Sequence, residues 1–172
     1  LITAKGSKGR FTLPDGSVVW LNSETKLTYP NQFADDRRLV SLEGKAYFEV
    51  AKDAKKPFVV QAGEIDVEVL GTRFDLDSYS SGEFVQTALL DGSVKISGKA
   101  MKEPVFLKPN ELFRYRKSDQ VATVEDAKVG LYADRIKDRL VFDNDCLADI
   151  LISMGGRYNI DIECPKQFAA ST

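Results

Sequence analysis

Histidine does not occur in this 172-residue chain. Its absence removes the commonest general base, the commonest metal ligand and the side chain that titrates near neutral pH. Ser-His-Asp and Cys-His catalytic arrangements and histidine-bearing zinc sites go with it. Cysteine is nearly as scarce: Cys146 and Cys164 are the two present, too few for a four-thiolate metal site. Long apolar runs are missing as well, the longest being Val18-Val19-Trp20-Leu21. That excludes a membrane-spanning helix or a signal-peptide core within this segment, though not in a longer parent chain. Neither sign of charge dominates. Lys and Arg number 24 against 26 Asp and Glu, a formal charge of −2, where a dedicated nucleic-acid surface would be basic. Enzyme chemistry would have to rest on carboxylates, Lys, Tyr or Ser alone.

What the chain does contain is alternation. Ile65-Asp66-Val67-Glu68-Val69 changes polarity at every residue, as do Phe74-Asp75-Leu76-Asp77, Val94-Lys95-Ile96-Ser97 and Phe113-Arg114-Tyr115-Arg116. Ala46, Phe48 and Val50 alternate with Tyr47, Glu49 and Ala51. A period of two means strands with one buried and one wet face. Turn signals separate the strands at short intervals: Asp15-Gly16, Glu43-Gly44, Ala62-Gly63, Gly71, Ser81-Gly82, Asp91-Gly92, Gly98, Pro109-Asn110 and Ser118-Asp119. The pattern predicts a mainly β fold, either an antiparallel β-sandwich or a solenoid-like roll of short strands. Irregular spacing speaks against a regular β-helix.

One phrase is written twice. Leu13-Pro14-Asp15-Gly16-Ser17-Val18 returns as Leu90-Asp91-Gly92-Ser93-Val94, and Glu43-Gly44-Lys45-Ala46 is a looser copy. Asp-Gly supplies the positive φ that a tight turn needs. Asp15, Gly16, Gly44, Gly71, Asp91 and Gly92 are read as structural corners.

Beyond Val124 the pattern changes. Glu125 to Lys137 is charged and aperiodic, as a linker would be. Leu140-Val141-Phe142 reads as a strand. Asp143-Asn144-Asp145 offers helix N-caps, and Leu147, Ile150, Leu151 and Met154 lie on one helical face. Gly155-Gly156 stops that helix, and Arg157 to Glu163 alternates again. The expected organisation is an all-β domain over 1–126, a linker over 127–137 and a partial strand-helix-strand subdomain over 138–172. Cys146 at the helix start and Cys164 after the last strand would fall on the same edge of such a unit. A disulfide between them is geometrically possible, and two separate thiols are the other reading.

Other residues are read conservatively. Arg37-Arg38 and Lys55-Lys56 are taken as solvated strand ends. Asp66, Glu68, Asp75 and Asp77, on adjacent strands, are taken as a wet sheet face and not as a calcium site or a glycosidase pair. Trp20 and Tyr29 are taken to fill a β core, with a sugar-stacking platform as the other use of such residues.

The order of these phrases resembles one family. Leu13 to Leu21 is followed by Leu21-Asn22, Thr25, Leu27 and Tyr29-Pro30. Then come Arg38-Leu39-Val40-Ser41-Leu42-Glu43-Gly44-Lys45-Ala46-Tyr47-Phe48-Glu49-Val50 and Pro57-Phe58-Val59-Val60. Val67-Glu68-Val69-Leu70-Gly71-Thr72-Arg73-Phe74-Asp75-Leu76, Leu89 to Ile96 and Leu107-Lys108-Pro109-Asn110-Glu111 complete the series. Together they resemble the periplasmic part of FecR-type anti-sigma factors, in the form common in Bacteroidetes. The strand-helix-strand end is similar to the start of a secretin/TonB short N-terminal fold. Two positions depart from the family pattern: Lys45 stands where Glu is usual, and Ile136 where a tryptophan is expected.

The resemblance implies a non-enzymatic signalling protein without cofactor or metal. It implies a periplasmic region tethered to the inner membrane by a helix outside this segment. Such a region takes a signal from the signalling domain of an outer-membrane TonB-dependent transducer. It passes that signal to an extracytoplasmic-function sigma factor held by a cytoplasmic segment also outside it. No nucleic acid or small-molecule substrate is expected. The last strand, Tyr158 to Glu163, is the candidate docking edge, with the exposed alternates Arg157, Asn159, Asp161 and Glu163 facing the partner; internal pairing of Tyr158, Ile160 and Ile162 is the simpler reading. A carbohydrate-binding β-sandwich is the alternative that the strand pattern alone permits.

Overall fold

The structure is a computed structural model that describes residues 1–127 and Val129. The described residues form twelve strands and no helix. The strands lie in two layers. Sheet I contains β3 (Lys26–Thr28), the first part of β4 (Arg38–Glu49), β5 (Phe58–Ala62), β6 (Ile65–Val69), β9 (Val94–Gly98) and β10 (Val105–Leu107). Sheet II contains β1 (Gly9–Thr12), β2 (Val18–Leu21), the second part of β4, β7 (Arg73–Ser78), β8 (Phe84–Asp91), β11 (Glu111–Arg116) and β12 (Val121–Asp126).

After β4 the chain lays down hairpins alternately. β5–β6 enters sheet I, β7–β8 sheet II, β9–β10 sheet I and β11–β12 sheet II. The layers are those of a sandwich and the path is that of a roll. The order β10-β9-β6-β5-β4-β7-β8-β11-β12 is hydrogen-bonded without a break, because β4 belongs to both layers.

Period-two patterning aims one side of each layer inward. Val40, Leu42, Phe58, Val60, Val67 and Ile96 from sheet I meet Val19, Leu21, Phe48, Phe74, Leu76, Leu89, Phe113 and Tyr115 from sheet II in one buried cluster. Phe48 lies at the centre, stacked on Phe74 at 5.0 Å and tilted against Phe58 at 6.1 Å.

Two features differ from the antiparallel pattern of separate short strands. The first is a parallel pair. Arg38–Ser41 of β4 runs alongside Phe58–Gln61 of β5, and the excursion of the chain through sheet II supplies the crossover that parallel strands need. The second is Gly44, read as a turn, which lies inside β4, where the strand changes layers. Lys26–Thr28 pairs with Ser41–Glu43, and Arg73–Ser78 takes over from Gly44 onward. Gly44 has φ +113°, a conformation open to glycine, and a Cβ there would lie 2.7 Å from the Thr25 Cα. The bend leaves backbone groups for side chains to satisfy. The Lys45 N–H donates to Thr25 Oγ1 at 3.0 Å, and the Ser78 hydroxyl is 3.2 Å from both the Leu42 and Gly44 carbonyls.

The twin Asp-Gly phrases have different tasks. Asp15-Gly16 closes a true hairpin between β1 and β2. Asp91-Gly92 joins β8 to β9, which lie in different layers. Gly71 sits at the neighbouring crossing from β6 to β7, its carbonyl 3.3 Å from where a Cβ on Gly92 would stand. The strand-helix-strand unit expected over 138–172 lies outside the described residues.

Candidate functional site

The hairpin turn at Asp15 anchors a buried polar knot. Asp15 Oδ1 accepts the Ser17 N–H at 3.1 Å, and Oδ2 accepts the Ser17 hydroxyl at 2.7 Å. Oδ2 also accepts Nη1 of Arg38 at 2.8 Å. Arg38 donates further to the carbonyls of Ala51 at 2.8 Å and Lys56 at 2.9 Å, and its guanidinium lies 5.4 Å from the Phe58 ring centroid. Ser17 Oγ accepts the Ala51 N–H in return. Arg38 is therefore not a solvated strand end: it is 2% exposed, while neighbouring Arg37 is exposed. The arginine joins the first hairpin to the start of sheet I. The knot is structural, with Arg38 Nη2 buried in it without a hydrogen-bond partner.

The outer face of sheet II is the more informative surface. The registers place Trp20, Tyr47, Asp75, Ala88, Leu112 and Glu125 in one row across it. Arg10 stands 5.3 Å from the Trp20 ring and Tyr47 5.4 Å from it on the other side. Trp20 thus fills no core; it lies half-buried on this outer face, while Tyr29 packs partly buried against the core. The Lys45 ammonium lies 3.2 Å from Asp75 and 3.3 Å from Asp77.

The four acids do not share a wet face, nor do their strands adjoin. Asp66 and Glu68 belong to β6 in sheet I, with Lys95 3.5 Å from Glu68. Asp75 and Asp77 belong to β7 in sheet II, and Asp75 is 3% exposed. Among the described residues no group of three or more His, Cys, Asp or Glu is placed to hold a metal ion.

Burial and charge oppose each other at Lys45. Desolvation disfavours its ammonium, yet the carboxylates of Asp75 and Asp77 outweigh that and raise its pKa above the usual 10.5. Burial pushes the Tyr47 hydroxyl from 10.0 up to about 12, with Glu49 adding to the effect. In both groups the folded state holds the proton more tightly than the unfolded chain does. Both contributions are complete below about pH 10 and fall away as pH rises through the folded values. The urea midpoint is therefore expected to drop between pH 10 and 12. Lys45→Met should cost about 1.5–3 kcal/mol at pH 8 by removing charged hydrogen bonds, and should flatten the alkaline decline. Urea titrations of both proteins at pH 8, 10 and 11 check this.

The departure of Lys45 from the family pattern is answered by these acids, a pairing that no local signal predicts. Ala88, Leu90 and Leu112 were legible only as breaks in alternation, in Ala88-Leu89-Leu90 and Leu112-Phe113. Arg157, Asn159, Asp161, Glu163, Cys146 and Cys164 all lie outside the described residues, as does Ile136.

These observations define a β scaffold whose buried polar groups tie strands together and whose layers are joined by one shared strand. The model of the FecR protein family matches residues 1–95, more than half of the chain, and the chain belongs to that family. Two crystal structures of a candidate anti-sigma factor from Parabacteroides distasonis, at 1.65 and 2.50 Å resolution, are similar to it. Each superposes with a TM-score of 0.80 at 29% identity, over 92% of this chain and 74% of that one. No curated protein matches.

Proposed function

We propose that this chain is the signal-receiving region of an anti-sigma factor and acts by protein–protein contact, not by catalysis. Membership of the FecR family carries the reading, and the likeness to a candidate anti-sigma factor supports it. In this reading the chain lies in the periplasm and is tethered to the inner membrane through a helix outside residues 1–172. It receives its signal from the signalling domain of an outer-membrane TonB-dependent transducer. A cytoplasmic segment holds the sigma factor. Among the described residues no helix is long and apolar enough to cross a membrane.

A domain division at 126, with a linker to 137 and a receiving subdomain over 138–172, fits this role. The receiving element is the strand Tyr158 to Glu163, whose backbone would pair with a partner strand while Arg157, Asn159, Asp161 and Glu163 face it. Titration of the purified chain with the transducer's signalling domain tests this. Asn159→Pro removes a backbone donor and Arg157→Glu reverses a charge, and each is expected to weaken binding about tenfold or more, about 1.4 kcal/mol. Unchanged affinity in both variants would reject this strand as the docking element. No binding by the wild-type chain, together with calorimetric binding of free glycans, would instead favour a carbohydrate-binding module.

A further inference from the structure

The outer faces of the two sheets are buried to different degrees. Across sheet I the registers align Leu39, Val59, Glu68, Lys95 and Phe106 in one outward row. None of the five is buried, and Phe106 is 63% exposed. That is an ordinary solvated sheet face. The equivalent row on sheet II contains Tyr47 at 2%, Asp75 at 3%, Ala88 at 1% and Leu112 at 2% exposure. A face that would be wet in a free two-layer roll is here as closed as the core.

The chain's own path past β12 leads onto this face. After β12 the Ala127 N–H donates to the Asn110 carbonyl at 2.8 Å. Val129 is then 2% exposed and joins Ala88 and Leu112 in a second buried cluster, with Leu90 and Ala127 packed at its side. The backbone has turned away from the free edge of β12 and back over the outward face of β8 and β11. The next residues are apolar at Leu131, Tyr132, Ile136, Leu140 and Phe142. Burial of these side chains against Ala88, Leu90 and Leu112 would extend the cluster that Val129 begins.

We propose that the outer face of sheet II is the docking platform for the chain's own C-terminal segment, residues 130–172, with Val129 as its first anchor. The β roll and the segment then form one body with two cores, one on each side of sheet II. This placement holds whatever the external partner is, so it stands independently of the function proposed above.

Two experiments on the full 172-residue chain test it. In protein carrying methyl-labelled alanine, the Ala88 methyl is expected to show nuclear Overhauser contacts to residues beyond 129; their absence would overturn the proposal. In limited trypsin digestion, Lys128, Arg135, Lys137 and Arg139 are expected to be cut slowly in the wild-type protein. Leu90→Glu places a charge on the platform at a half-buried site and should speed cleavage at these four residues at least tenfold. The cleavage rate at Lys26 and Lys99, in and beside strands of sheet I, should change little. Phe106→Glu, the same kind of change on the other sheet, should leave all rates alone. Equal cleavage at the four sites in wild type and Leu90→Glu would overturn the proposal. So would a wild-type dimer that Leu90→Glu converts to monomer without altering these rates, since the face would then belong to a second copy.

Discussion

Asp15→Ala is expected to lower the unfolding free energy by about 3–5 kcal/mol, the usual cost of removing one partner of a buried ion pair. The variant leaves the Arg38 guanidinium 2% exposed with only the Ala51 and Lys56 carbonyls and the Phe58 ring around it. It also removes the acceptor for the Ser17 N–H and hydroxyl, so the turn keeps only its backbone hydrogen bonds, Leu13 N–H to the Ser17 carbonyl and Gly16 N–H to the Leu13 carbonyl. Urea unfolding measures the loss as a lower midpoint at unchanged slope. The double variant Asp15→Ala with Arg38→Met separates the pair from the turn. Without a buried cation to strand, it should recover part of the loss, and an additive effect of the two changes would show that the pair is not coupled.

Gly44→Ala is expected to be comparably severe. A non-glycine residue at φ +113° carries a backbone cost of about 1–3 kcal/mol. The added methyl would also stand 2.5 Å from Thr25 Oγ1 and 2.7 Å from its Cα, and displacing β3 to admit it adds about 1–3 kcal/mol. Gly63→Ala provides the comparison. Gly63 also has positive φ, at +65°, but no atom lies within 4 Å of a Cβ built there. Its loss should be confined to about 1–2 kcal/mol of left-handed backbone. Thermal and urea unfolding of the two variants should therefore differ by about 1–3 kcal/mol, and equal destabilisation would remove the steric part of the account.

The strands were legible because alternation is a local property. Ile65 to Val69, Arg73 to Ser78 and Val94 to Gly98 form strands where the polarity changes residue by residue. Long-range partners were not legible. An Asp-Gly phrase announces a change of direction, but not whether the strands on either side will pair, as around Gly16, or part into different layers, as at Gly92. Gly44 carries a turn's composition inside a twelve-residue strand because its conformational freedom is used for a bend between layers. Arg38 looked like half of a solvated basic pair because its carboxylate partner is Asp15, on another hairpin. Asp75 looked wet because strand period cannot say whether a sheet's outer face is covered, or that Lys45 lies opposite. The FecR-like order of phrases carried more of this non-local information than any single motif.

The continuity of β4 through both layers has a mechanical consequence. Two sheets stacked by side chains alone can slide over one another, whereas these are spliced by an unbroken backbone that is hydrogen-bonded on both sides of the splice. Shearing one layer against the other would require rupture of the ladders around Gly44, not just repacking of side chains. A tug on either layer is thus expected to move the whole roll as one stiff lever.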